Sequence, residues 1–241
     1  MLIFPAIDLR GGKVVRLTEG DYDRETVYGS DPLAVAEGFL RAGAQWLHAV
    51  DLDAARDGGQ INFEIIRRLA RDSGLKIEVG GGARSEESAR KYLDAGVSRV
   101  ILGTAAVEQP ELLEKLAKTY PGQIAAGVDA KNGFVAIHGW RTVTDLNAFD
   151  FVSSMPERGV DTVIYTDIAR DGLLSGPNFS AYEKLAAIPG LQIVASGGIT
   201  TVEDLRTLAG MKLYAAIVGK AIYDGRIDVG SALRAAKEGQ A

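Results

Sequence analysis

The chain has 241 residues, of which 46% are hydrophobic and 24% charged, with a formal net charge of −5. That is enough apolar material for a sizeable core, and the acidic balance excludes a broad nucleic-acid-binding surface, which needs an excess of Lys and Arg to displace counterions. With no cysteine there is no disulfide, thiolate nucleophile or Cys-built metal site.

The first segment, Met1-Leu2-Ile3-Phe4-Pro5-Ala6-Ile7, has no basic leader, meets Asp8 at once and reads as a strand. No later apolar run approaches the ~18 residues of a membrane span, so a cytoplasmic protein without membrane or nucleic-acid partners is expected. In chain order, short β-rich runs occur at residues 2–7, 46–50, 77–79, 100–102, 124–128, 162–165, 193–195 and 215–218. Each is followed by a polar loop and a helix-like stretch, the pattern of successive βαβ units. Gly43, Gly74, Gly96, Gly122, Gly159, Gly190 and Gly210 close those stretches, as helix-ending glycines do. Asp31-Pro32 reads as an N-cap with Pro at the first helical position, and Thr201-Val202-Glu203-Asp204 resembles a capping box. Together these signals predict an α/β fold, a single (β/α)8 TIM barrel, with a doubly wound parallel sheet as the alternative.

The chain also repeats itself. Val50-Asp51-Leu52 matches Thr166-Asp167-Ile168, Gly81-Gly82 matches Gly197-Gly198, and Gly103-Thr104-Ala105 matches Gly219-Lys220-Ala221, each at an offset of 116 residues. Asp8 pairs with Asp129 at an offset of 121. Two half-barrels, about 1–121 and 122–241, are therefore expected within one domain of 1–241.

In a β/α barrel the active site lies at the carboxyl ends of the strands, where all these motifs fall. Asp8 and Asp129 end the first and fifth strands and should face each other across the mouth. One carboxylate can then take a proton while another, kept neutral by burial, donates one; each also has a bland reading as a loop cap. Gly81, Gly82 and Arg84 open a helix beginning near Ser85, and Gly103-Thr104 opens another. Ser196-Gly197-Gly198 and Gly219-Lys220 repeat both, so two phosphate cradles are expected, with tight empty turns as the alternative. Gly80-Gly81-Gly82 is no dinucleotide fingerprint, since Ser85 stands where the third glycine belongs, and no Walker A, HExxH or GxSxG pattern occurs. His48 and His138, the only histidines, are not spaced for a metal, and His48 reads as a packing residue inside a strand. Trp140 could stack on a planar ligand or cover the barrel.

The chain resembles the phosphoribosylformimino-aminoimidazole carboxamide ribotide isomerases of histidine biosynthesis over essentially its whole length. The resemblance is carried by Pro5-Ala6-Ile7-Asp8-Leu9, Gly11-Gly12-Lys13-Val14-Val15-Arg16-Leu17, Leu47-His48-Ala49-Val50-Asp51-Leu52, Gly80-Gly81-Gly82, Gly139-Trp140, Tyr165-Thr166-Asp167-Ile168-Ala169-Arg170-Asp171-Gly172 and Ala195-Ser196-Gly197-Gly198-Ile199. It implies a cofactor-free and metal-free Amadori rearrangement of a bis-phosphorylated substrate. By that resemblance Asp8 is the base, Asp129 or Asp171 the acid, and Thr166 orients a carboxylate or hydroxyl. Arg16, Trp140 and Gly176 join the glycine motifs as substrate-binding positions, and a monomer is expected.

The related cyclase of imidazole glycerol phosphate synthase carries a cysteine beside its first aspartate and a serine where Asp167 stands, whereas Ile7 precedes Asp8 here. A catalytically silent phosphosugar-binding barrel is opposed by the presence of all three aspartates. Relatives that also isomerise phosphoribosylanthranilate commonly place an arginine before the Gly-Trp motif, where this chain has the shorter His138. Gly176-Pro177-Asn178 and a long loop over residues 21–28 resemble those dual-substrate relatives, and Arg16 remains available for an anion. The expectation is a mainly histidine-pathway isomerase with at most weak activity on phosphoribosylanthranilate.

Overall fold

The computed structural model describes residues 1–18 and 20–240. In chain order the strands are β1 (Leu2–Arg10), β2 (Lys13–Thr18), β3 (Asp21–Gly29), β4 (Trp46–Asp51), β5 (Lys76–Gly80), β6 (Arg99–Leu102), β7 (Ile124–Lys131), β8 (Phe134–Ile137), β9 (Thr142–Asn147), β10 (Thr162–Asp167), β11 (Gln192–Ser196) and β12 (Ala215–Val218). A parallel ladder runs through β1, β4, β5, β6, β7, β10, β11 and β12 and returns to β1. This is the closed (β/α)8 barrel that the eight apolar runs predict, and it rules out the open doubly wound sheet.

Two-residue parity assigns each side chain to the lumen or to the helix layer. Phe4 and Ala6 of β1 join Trp46, Ala125, Ile164 and Val194 in a cluster inside the barrel. Their neighbours Ile3, Ile7, Leu47, Val163 and Ile193 belong to the larger core between barrel and helices. The lumen is a packed core, with Phe4 stacked on Trp46 at 5.2 Å between ring centroids. At the mouth the same parity brings Asp8, Asp129, Thr166 and Ser196 inward.

Glycine ends six of the predicted helical stretches in left-handed geometry, at Gly43, Gly74, Gly96, Gly122, Gly159 and Gly190. The seventh differs: Gly210 lies within the helix Val202–Gly210, and Lys212 takes the left-handed position instead. Asp31 caps the helix Pro32–Arg41, and Thr201 and Asp204 form the predicted capping box.

A second departure lies after β1. Residues 21–28 are not a loop but most of β3, which pairs antiparallel with β2, itself paired with β1. β7 carries the corresponding extension, β8 and β9. Both half-barrels thus begin with a strand that continues into a hairpin standing over the mouth, and the tips of the two hairpins meet where the Trp140 ring packs on Gly20.

Candidate active site

Each half builds the same scaffold beneath its glycine pair. Asp51, fully buried, accepts hydrogen bonds from the backbone N–H groups of Ala54 and Asn62 and from Asn62 Nδ2 at 2.7 to 3.0 Å. Asp167 accepts from Ala169 N and Asn178 Nδ2 in the second half, at 3.0 and 2.7 Å. These carboxylates hold loops. Gly81 and Gly197 pass directly over the main chain of Asp51 and Asp167 with φ of +88° and +89°, so a Cβ at either would collide with a fixed carbonyl.

The first-half cradle opens into the central cavity, which is lined by Gly81, Gly82, Arg84, Gly103 and Thr104. Ser85 caps the helix Glu86–Asp94 that starts just beyond the glycines. Thr104 Oγ1 accepts from His138 N at 2.9 Å, and Arg84 is anchored to the carbonyl of Ala55 at 2.8 Å.

The second-half cradle is covered. Ser196 lines the cavity, whereas Gly197, Gly198, Gly219, Lys220 and Gly176 do not. The loop after β10 explains this: Gly176 N donates to Gly198 O at 3.0 Å, Arg170 donates to Gly176 O at 3.0 Å, and Lys220 Nζ donates to Gly172 O at 3.0 Å. The guanidinium of Arg16 fills the space where Gly219 lacks a side chain, which places a fixed positive charge at that end.

The three carboxylates converge. Asp8, Asp129 and Asp171 all line the cavity, with Arg16, Thr166 and Trp140. Arg16 Nη1 pairs with Asp8 Oδ2 at 2.7 Å. Trp140 Nε1 donates to Asp129 Oδ2 at 2.8 Å, so its ring is fixed by the carboxylate as well as by Gly20. Thr166 stands directly across the β7–β10 ladder from Asp129.

Burial pushes the carboxyl of Asp129 above the ordinary aspartate range; hydrogen bonds from Trp140 and Thr166 oppose this, and the charge of Asp171 adds to it. Burial also raises Asp171, with Arg16 opposing and Asp8 reinforcing the shift. Asp129 and Asp171 are therefore biased toward the neutral, proton-donating form.

One histidine reading changes. His138, before the Gly-Trp motif, does not line the cavity, and its Nε2 faces Glu108 at 3.1 Å. His48 is not simply a packing residue: it borders the cavity, and its Nδ1 lies 2.7 Å from Glu78, which also pairs with Arg99 at 3.2 Å. Removing one partner of such a buried pair costs about 3–5 kcal/mol. The sequence did hold a signal for His48, since it shares the lumen parity of Trp46 and Val50. Tyr22 of β3 also lines the site, its hydroxyl on the carbonyl of Leu52 and its ring beneath Arg10 and Arg56. Nothing in its polar surroundings along the chain marked it. Among the described residues no group of three or more His, Cys, Asp or Glu is placed to hold a metal ion, and no helix is long and apolar enough to cross a membrane.

A (β/α)8 barrel with three carboxylates around one cavity, and a glycine cradle on its wall, defines an enzyme class suited to moving protons on a small substrate. The chain belongs to the histidine biosynthesis protein family, whose model matches residues 2–228. It is 46% identical over 239 residues to a 1-(5-phosphoribosyl)-5-((5-phosphoribosylamino)methylideneamino) imidazole-4-carboxamide isomerase of Geobacillus thermodenitrificans, covering 98% of each chain. The isomerase of the same name from Carboxydothermus hydrogenoformans is 48% identical over 237 residues, covering 97% of this chain and 98% of its own.

Proposed function

We propose that this chain is the histidine-pathway isomerase that its relatives are named for, converting a bis-phosphorylated aminoaldose to the aminoketose by an Amadori rearrangement. The observation that carries this reading is the convergence of Asp8, Asp129 and Asp171 on one cavity, beside a glycine cradle, in a chain similar end to end to those isomerases. The acid, Asp129 or Asp171, protonates the ribose ring oxygen and the ring opens to an iminium. Asp8 then removes the proton at C2 to give an enolamine, and return of that proton to C1 yields the ketone. Thr166 orients the carboxylate beside it.

One phosphate sits in the cradle of Gly81, Gly82, Arg84, Gly103 and Thr104. The other takes the cradle of Ser196, Gly197, Gly198, Gly219 and Lys220, with Arg16 close by, when residues 170–176 lift from Gly198 and release the Lys220 amine. Trp140 and Gly176 border the substrate. Both cradles and all the carboxylates come from one chain, and β1 and β7 each pair with strands of the other half, so one barrel acting as a monomer suffices. The reaction is an internal proton transfer without net redox change, which needs no cofactor. Activity is accordingly expected to survive exhaustive dialysis against a chelator, and loss on chelation with recovery on adding a divalent ion would overturn that.

Measured kcat/KM on the purified chain tests the reading as a whole. The bis-phosphorylated ribotide should be turned over at least ~100-fold more efficiently than phosphoribosylanthranilate, because no arginine fork stands before Gly139-Trp140 to pair with the anthranilate carboxylate. Arg141, the residue after that motif, is held by the carbonyls of His138 and Arg56. No turnover of the ribotide would refute the function, and comparable values would refute its specificity.

A further inference from the structure

The half-barrel repeat supplies an internal comparison for His48. His48, Glu78 and Arg99 stand opposite one another across β4, β5 and β6, in the registers His48↔Glu78 and Glu78↔Arg99. The residues 116 positions further on, Ile164, Val194 and Ala215, stand in the same registers across β10, β11 and β12. Those three are buried and apolar. Aliphatic side chains therefore meet the packing requirement of these positions in one half. The other half puts an imidazole, a carboxylate and a guanidinium there, with side chains 12%, 0% and 5% exposed and Arg99 Nε without a hydrogen-bond partner among the described residues. Buried ion pairs rarely exceed well-packed apolar residues in stability, so packing does not account for the triplet.

What the triplet does is fix one imidazole. The Arg99 guanidinium, lying over the rings of Trp46 and Tyr214 at 4.8 and 5.5 Å, pairs with Glu78 Oε2, while Glu78 Oε1 meets His48 Nδ1. A carboxylate can only accept, so Nδ1 carries the hydrogen and Nε2 is left as an open acceptor on a ring that borders the cavity. His48 lies opposite Ala6, two residues along β1 from Asp8, and lines the same cavity as Asp8, Asp129 and Asp171.

The rearrangement requires such an acceptor. Two hydrogens move: that on C2 goes to C1 by way of Asp8, and that on the C2 hydroxyl must replace the proton the acid gave to the ring oxygen. When the enolamine collapses, the O–H bond breaks and its electron pair forms the C2 carbonyl. The C1–C2 π pair meanwhile takes the proton held by Asp8. Building on the isomerase reading, we propose that His48 Nε2 accepts the hydroxyl proton of the enolamine and passes it to the acid carboxylate, with Glu78 and Arg99 as positioning residues. The proton count then closes within the site, and the acid is restored for the next turnover.

Two variants test this. His48→Asn keeps an amide nitrogen near the Nδ1 position and lacks Nε2; the triple variant H48I/E78V/R99A installs the residues of the second half. Both should keep the wild-type circular dichroism and lose about 10²-fold in kcat. In D2O, substrate recovered from either should carry more deuterium at C2 per turnover than substrate recovered from wild type, because C2 deprotonation continues while ketonisation is slowed. A purely structural defect would lower exchange and turnover together, and that result, or a wild-type kcat in H48N, would overturn the proposal. Should the triple variant fail to fold, H48N decides alone. A wild-type chain with no turnover would instead remove the isomerase reading on which the proposal rests.

Discussion

Replacing Asp8 with asparagine is expected to lower kcat by about 10³-fold while leaving KM for the ribotide within a few-fold of wild type. The side chain is isosteric, so the cavity keeps its shape, and both proposed phosphate cradles follow other strands. What disappears is the only cavity carboxylate that β1 contributes, the group proposed to take the C2 proton. The asparagine oxygen can still accept from Arg16 Nη1 where the 2.7 Å contact now stands, so what is lost is the charge of a largely buried pair, a cost of up to about 3–5 kcal/mol that the melting temperature reads. Steady-state kinetics beside a thermal melt separate the two effects. A variant that kept more than about a tenth of wild-type kcat would take Asp8 out of the proton-transfer step.

The barrel was legible because closing it imposes local rules that leave marks in the chain. A helix that must turn back toward the next strand within a few residues ends best on a left-handed residue, and six of the seven expected glycines occupy that conformation. The exception shows the limit: at Lys212 an L-residue accepts the strain, and the nearby Gly210 misleads. The hairpins were not legible. β3 is exposed along most of its length, so it shows no alternation, and its strand geometry comes from pairing with β2.

His48 carried only a faint mark, its parity with Trp46 and Val50. Parallel barrel strands are buried on both sides and read as continuous apolar runs, which conceals which residues face the lumen. The cradles show a third limit. Gly81-Gly82 and Gly197-Gly198 have almost the same backbone and the same clash with an aspartate carbonyl, yet one pair lines the cavity and the other lies beneath residues 170–176. In both halves a loop carbonyl lies on the second glycine, Gly59 on Gly82 and Gly176 on Gly198, so the difference comes from how far each loop extends over the first glycine and the cavity wall.

Asp129→Asn and Asp171→Asn, made separately, should identify the acid, and the pH dependence should do so more sharply than the size of the loss. Burial raises both carboxyls above the ordinary aspartate value of about 3.9, so each holds its proton to higher pH than a free aspartate. Ring opening needs that proton, so wild-type kcat should fall as pH rises through the raised value. The true acid, replaced by asparagine, should lose about 10²–10⁴-fold in kcat and lose that descending limb, while the other variant keeps it. Stability should move in the opposite direction. Below the ordinary aspartate range both folded and unfolded chains are protonated and each variant should match wild type. As pH rises, the unfolded chain ionises first and the native state loses stability until its own carboxyl ionises. A neutral asparagine escapes that loss, so both variants should melt above wild type near neutral pH. A descending limb that survived in both variants, with only mild losses in kcat, would remove the acid role from both aspartates.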